Sequence, residues 1–379
     1  MSLQWIAVCV NLSYTNVGGN MTTIHLYKQS FSPTTQVLIK TPDFTVKTFI
    51  YPSGVHAIRL ENRVGHLMML PFQGQQIWDA VFFDRCLTMK TMFDDPKPTL
   101  AYLENYGGLL LHCGVTAMGV PSAADTHPLH GELPNAPFQT AFLQLGTDET
   151  GAYIALSGMY RHTIAFAHNY IATPEVRLYA NSSRVAVFLS IENLKNSPMD
   201  LMYLAHLNLR PVNDAQIVYS AKVSPQTVRI RDSIPAHAQI SDQTLAQIEQ
   251  LKQHPELHHT LTTGISYDPE VVFFIDYLAD QSGWAHSLQI HPDGSADYVT
   301  HRPSQLPVGV RWITRTPDQD GLGLVLPATS EPTGYNLEKA AGRVVSLAPR
   351  ASWTCEFQFC VLEPSQTEVV KQQIQAILT

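Results

Sequence analysis

Charged residues are scarce in this sequence. Asp, Glu, Lys and Arg make up 15% of its 379 residues, against roughly 25% in an average soluble domain. Lys and Arg number 24 against 32 Asp and Glu, for a formal charge of −8. With so few cations, and no basic cluster, the chain lacks a surface that neutralises phosphates, so no nucleic-acid partner is expected. Long apolar runs are missing too: none approaches the roughly 18 residues of a membrane span, and no membrane partner is expected. Cysteine is sparse. Cys9, Cys86, Cys113, Cys355 and Cys360 are odd in number and contain no C-x-x-C pair, which is not a disulfide framework. The opening MSLQWIAVCVNL has neither the basic segment nor the apolar length of a secretory signal. The expected location is therefore the cytoplasm, and the N-x-[ST] matches at Asn11, Asn20 and Asn181 carry little weight as glycosylation sites.

What is present points to β-structure. Hydrophobic residues reach 45%, and 25 prolines with 21 glycines supply many turns. Long amphipathic helices would bring more Lys and Glu than this chain contains. Val185, Val187, Leu189 and Ile191 alternate with polar neighbours, as do Trp353, Cys355, Phe357 and Phe359. Further β-rich runs lie at 22–27, 46–51, 55–62, 152–157, 271–277 and 344–347, separated by Gly, Pro, Asn and Asp. Only two segments carry helical spacing. Leu245, Ile248 and Leu251 follow Ser241, an N-cap candidate, and Ser365-x-x-Glu368 reads as a capping box before a C-terminal helix. No internal repeat or linker appears, and the polar stretch 235–256 is a short candidate excursion from the fold. The expectation is all-β: one large antiparallel β-sandwich domain over 1–379 with a few short helices.

Standard catalytic signatures are absent. There is no P-loop, H-E-x-x-H or G-x-S-x-G, and Gly321-Leu-Gly323 lacks the third glycine of a dinucleotide fingerprint. His254 and His258 are separated by Pro255, which spoils a helical metal pair and leaves a solvated loop as the expectation. Two segments stand out. From Tyr106 to Phe138 a hydrophobic strand leads into a dense run of His, Gly, Pro and Asp that includes His112, His127 and His130. In Tyr203–Arg210, a strand would place Leu204, His206, Asn208 and Arg210 on one face of an otherwise very apolar segment. Burying such a polar row without partners costs on the order of 1–3 kcal/mol per group, so it is expected to line a cavity or close a network. A polyhydroxylated ligand suits such a row.

These segments resemble the aldose 1-epimerase (galactose mutarotase) superfamily. Leu129-His130-Gly131-Glu132 is similar to its Leu-His-Gly-Gly signature, and Asn196-Ser-Pro198 with His206-Leu-Asn208-Leu209 to its second histidine region. The stretch 321–337 and Val345-SLAP-Arg350 resemble its C-terminal strand, glutamate loop and turn, with Arg350 where the family has glycine. The resemblance implies a galactose mutarotase-like supersandwich that interconverts the anomers of a free sugar by acid-base ring opening, without metal, nucleotide or covalent intermediate. By that resemblance His206 is the acid at the ring oxygen, His130 holds that oxygen, and a carboxylate is the base: Glu331, with Glu338 next. The family's substrate-binding arginine has no match, and His112 or Arg210 replaces it; Asn208 and Asp268 would contact sugar hydroxyls. The expected partner is thus a small-molecule sugar. Two other readings compete. One is a metal-dependent sugar isomerase with His127, His130, Glu132 and His206 as ligands, although a spacing of three points His127 and His130 to opposite faces of a strand. The other is a non-catalytic carbohydrate-binding protein on the same fold.

Overall fold

The computed structural model describes residues 21–231 and 241–379, together with the backbone of 14–15. Cys9, Asn11 and Asn20 fall outside the described residues. Among the described residues the architecture is two antiparallel sheets of ten and thirteen strands. The ten-stranded sheet is built on long neighbouring strands at Thr140–Asp148, Gly151–Ile164, His168–Tyr179 and Val185–Asn193, continued by Ser352–Leu362, Ala296–His301 and Ala285–Ile290. Across the thirteen-stranded sheet, Val228–Ile230, Tyr267–Ile275, Val308–Arg315, Asp320–Ala328, Met199–Leu207 and Leu110–Val115 lie side by side in that order. Four of these strands, from Tyr267–Ile275 to Met199–Leu207, carry the floor of the candidate site. A continuous hydrophobic cluster draws on both sheets, with Val187, Leu189 and Phe357 from the first and Leu111, Leu201 and Val325 from the second.

The period-two pattern explains the layering. In Met199–Leu207, Tyr203 faces the other sheet, its ring 5.8 Å from that of Trp353. Leu204 and His206 therefore point the opposite way, to the outer face of the thirteen-stranded sheet. The alternation expected of this segment is present, but the strand stops at Leu207. Beyond it Arg210 turns out of the row: it is exposed and its Nε donates to the Thr88 carbonyl at 2.8 Å. Arg210, the expected substrate-binding cation, is thus placed off the face that His206 presents. His112 is likewise misplaced by expectation. It pairs across strands with Ala205, on the interior face, and its Nδ1 lies 2.7 Å from the Tyr203 hydroxyl. Burial pushes its pKa down to about 4; it is a core histidine.

The helices agree with expectation at one end and differ at the other. Ser241 caps the helix Asp242–Gln253 by accepting from the Thr244 amide, and Ile248 and Leu251 are buried, whereas Leu245 is exposed. The C-terminal helix Pro364–Leu378 starts two residues earlier than expected, with Glu363 and Gln366 forming the reciprocal cap and Pro364 in the first turn. Proline pre-sets the first helical φ, which favours that earlier start over Ser365. His258 is not a solvated loop residue. It is fully buried and accepts from Arg311 at 2.8 Å, closing a helical excursion onto the sheet. No helix among the described residues is long and apolar enough to cross a membrane.

Candidate active site

A cleft opens on the outer face of the thirteen-stranded sheet. Its floor is the outward set of side chains of four neighbouring strands. His206 and Leu204 come from Met199–Leu207, Leu326 from Asp320–Ala328, Val310 and Trp312 from Val308–Arg315, and Glu270 and Val272 from Tyr267–Ile275. Each pair is two residues apart, which is why one face of each strand contributes. Arg231 enters just past Val228–Ile230, where its amide bonds the Val272 carbonyl. Most of the rim is made by two loops. A short 3₁₀ turn, Tyr102–Asn105, supplies Tyr102 and Leu103, with Tyr106 following; Asn105 fastens it by accepting from the Lys97 amide and donating to Asn135. The second loop carries Val120, Leu129 and His130.

The His130 loop is shaped by backbone geometry. His130 itself has φ +60° and Gly131 φ +81°, a left-handed pair that turns the imidazole back over the sheet. The Gly114 amide donates to the His130 carbonyl and the His130 amide to the Gly119 carbonyl. A Cβ on residue 131 would run into the carbonyl oxygens of Ala117 and Gly114. Gly131→Ala is therefore expected to lower stability by about 2–4 kcal/mol. Urea denaturation checks this, and a loss below about 0.5 kcal/mol would show that the loop has another path. Glu132 anchors the same loop rather than facing the cleft. Its carboxylate accepts from the Val115 and Thr116 amides, the Thr116 hydroxyl and the Tyr170 hydroxyl.

The loop brings His130 edge-on to His206, ring centroids 5.4 Å apart at 82°. Tyr102 lies 4.7 Å from His130, and Tyr106 and Trp312 lie 5.3 and 5.5 Å from His206. His206 is held in one tautomer. Asn208 Nδ2 donates to the Gly108 carbonyl at 3.0 Å, so its Oδ1 faces His206 Nδ1 at 2.6 Å. Nδ1 then carries the proton and Nε2 the lone pair. Burial pushes the His206 pKa down to about 4, opposed by the Asn208 hydrogen bond and by the charge of Glu270. At neutral pH His206 is an uncharged acceptor at Nε2. The phenols of Tyr102 and Tyr106 are pushed well above their usual value by burial and stay protonated.

The carboxylate at this cleft is one that sequence patterning does not single out. Glu270 accepts from Arg231 at 2.6 Å through one oxygen and from the Trp312 indole N–H at 2.6 Å through the other. Trp312 thus spans the distance between Glu270 and His206. The one signal in the sequence is proximity: Glu270 stands two residues from Asp268, the expected sugar contact. Asp268 itself is exposed and lies outside the cleft lining. Glu331 and Glu338 are tied up elsewhere. Glu331 pairs with Arg229 at 3.2 Å and Arg343 at 3.1 Å. Glu338 is fully buried, bonded by both Nε and a terminal nitrogen of Arg343 at 2.7 Å and by the Thr333 hydroxyl. Neither lines the cleft, although their loop reaches it through Pro332.

The ligands that the competing metal-dependent reading requires are also scattered. His130 and His206 share the cleft, but His127 faces a second, polar cavity together with Asp125, Asp200 and Tyr335, and Glu132 is consumed by its loop. Among the described residues no three His, Cys, Asp or Glu side chains converge as a metal-ligand set.

The family described as a domain of unknown function (DUF4432) matches residues 52–361. The chain belongs to the DUF4432 family. Its solved structural relatives share the fold. A Klebsiella pneumoniae structure described as a "putative aldose 1-epimerase" is 16% identical, with a TM-score of 0.79 over 95% of this chain and 96% of that one. A galactose mutarotase-like protein from Clostridium acetobutylicum is 14% identical, with a TM-score of 0.56 over 85% and 99%. The Slr1438 protein from Synechocystis sp. PCC 6803 is 14% identical, with a TM-score of 0.55 over 81% and 95%. No curated protein matches the chain in sequence. At these identities the likeness concerns the fold: this DUF4432 chain is a galactose mutarotase-like β-sandwich.

Proposed function

We propose that this protein is an aldose 1-epimerase-like enzyme that interconverts the anomers of a free sugar in the cleft between His130 and His206. The observation that carries this reading is the neutral, tautomer-fixed His206 facing His130 in a sheet-lined cleft with Glu270 one indole away. Ring opening must remove the proton from the anomeric hydroxyl and deliver one to the ring oxygen. Both oxygens are bonded to the anomeric carbon, so a single basic nitrogen placed beside that carbon can serve both.

In the proposed cycle His206 Nε2 takes the anomeric hydroxyl proton, and the imidazolium returns it to the ring oxygen as the C1–O5 bond breaks and the C1 carbonyl forms. Rotation about C1–C2 exposes the other carbonyl face. Closure reverses both transfers: the O5 hydroxyl proton goes back to His206 and then to O1. This departs from the family role in which His206 begins as the acid. Glu270 offsets the charge of the transient imidazolium, the same influence that already favours protonated His206 in the free protein. His130 holds the ring oxygen, and Trp312 offers an aromatic surface to the sugar ring.

The test is a panel of freshly dissolved α-aldopyranoses followed by polarimetry and NMR with and without protein. At least one sugar is expected to reach anomeric equilibrium at a rate proportional to protein concentration. If sugars bind but none is interconverted faster than in buffer, the enzyme reading fails and a carbohydrate-binding role replaces it.

A further inference from the structure

We propose that Arg231 is the substrate-binding cation of this cleft, giving N–H groups to an uncharged sugar hydroxyl remote from the anomeric carbon. This rests on the anomer-interconverting reading of the same cleft. Arg231 is the cation in the cleft lining, and its side chain is only 10% exposed. A guanidinium carries five N–H donors. Here the side chain makes one hydrogen bond, from Nη2 to Glu270 at 2.6 Å, and its Nε is buried with no partner. Charged donors left unmet away from water cost free energy, which an oxygen acceptor from outside the chain recovers.

The guanidinium is held ready for such an acceptor. The Arg231 amide donates to the Val272 carbonyl at 2.7 Å, and Glu270, itself fixed by the Trp312 indole N–H, grips one terminal nitrogen. Two features say which oxygen it takes. Three strands lie between Val228–Ile230, which Arg231 follows, and Met199–Leu207, which carries His206. Their backbones thus stand four strand spacings apart, roughly 19 Å. An oxygen held by Arg231 is therefore not one that exchanges protons with His206. Charge is the second feature. Glu270 already offsets Arg231, and a second carboxylate on the same guanidinium would be repelled by it, whereas a hydroxyl would not.

The test compares wild type with Arg231→Lys, which keeps the charge beside Glu270 but loses the planar fork. The probes are D-glucose, D-galactose, D-xylose, L-arabinose, L-fucose and L-rhamnose, the singly deoxygenated derivatives of the tightest binder, and D-glucuronate with D-galacturonate. Rates are measured by NMR, affinities by calorimetry, and thermal midpoints control for folding. Arg231→Lys is expected to raise KM and Kd by about tenfold or more, the scale of one hydrogen bond from a charged donor, with kcat within about threefold. Removal of one particular hydroxyl should weaken binding to wild type by about tenfold and binding to the variant hardly at all. Unchanged KM, with or without a fall in kcat, or a deoxy series that both proteins read alike, makes Arg231 only a support for Glu270. Either overturns the proposal while the anomerase reading stands. Uronates bound tenfold tighter than every neutral aldose by wild type alone overturn it in favour of a carboxylate ligand. If sugars bind without turnover, the anomerase reading falls and the affinity pattern decides by itself; if none binds, the proposal is overturned.

Discussion

His206→Asn is expected to lower kcat/KM for anomer interconversion by about 10³-fold, within the range for loss of a general base. The wild-type profile carries the same information. Burial holds the imidazole pKa down at about 4, and the working form is the neutral one. The rate should therefore stay level from about pH 8 to about pH 5 and fall only as the pH drops through about 4. A histidine in water would lose its basic form near pH 6.5. Since kcat/KM reports the free enzyme, this fall belongs to the protein before sugar binds. A decline centred near 6.5, or a His206→Asn variant within threefold of wild type at an unchanged thermal midpoint, would remove His206 from the proposed role.

The second large effect separates two carboxylates. Glu270→Gln should reduce kcat/KM by about 100-fold, because it removes the charge facing the transient imidazolium and leaves Arg231 without its counter-ion. Glu331→Gln should stay within threefold of wild type. Glu331 lies outside the cleft lining, and its ion pairs with Arg229 and Arg343 are partly exposed, worth at most about 1 kcal/mol of stability each. Steady-state kinetics on both variants, with thermal midpoints as the folding control, decide between them. A large loss in Glu331→Gln with Glu270→Gln active would restore the assignment that sequence resemblance suggests.

The two assignments differ because of what a linear sequence can express. The resemblance aligns the stretch after Leu326 with a glutamate loop, and Glu331 is the first carboxylate there. In the folded chain that loop turns away from the cleft: the Glu331 amide bonds Glu338, and its carboxylate bridges two arginines. Glu270 comes instead from a strand 61 positions earlier, brought into the cleft by pairing of Tyr267–Ile275 with Val308–Arg315. Arg231, Glu270 and Trp312 share no motif. Their convergence follows from strand order and from the outward face of each strand, neither of which local patterning specifies.

Much of the fold was legible. Period-two alternation marked the strands at 185–193 and 352–362, and placed Leu204 and His206 on one face with Tyr203 on the other. The left-handed turn at Arg350, φ +59°, occupies the position where the resembled family has glycine. The row broke down at Arg210 because the strand ends at Leu207, and strand ends depend on neighbours as much as on the residues themselves. His112 and His206 look equally conspicuous as polar residues in apolar strands, yet register sends one into the core and the other into the cleft.

Local sequence was enough for the fold class and for two of the residues that line the cleft. Few charges and alternating strands specify an antiparallel sandwich, because periodicity and turn residues act over a few positions, and the family resemblance picked out His130 and His206, which the fold places side by side. The folded chain was needed to settle which carboxylate faces those histidines, which tautomer His206 holds and which histidine belongs to the core. Each of those depends on long-range strand pairing and on exclusion of water, and both come into being only when distant segments meet.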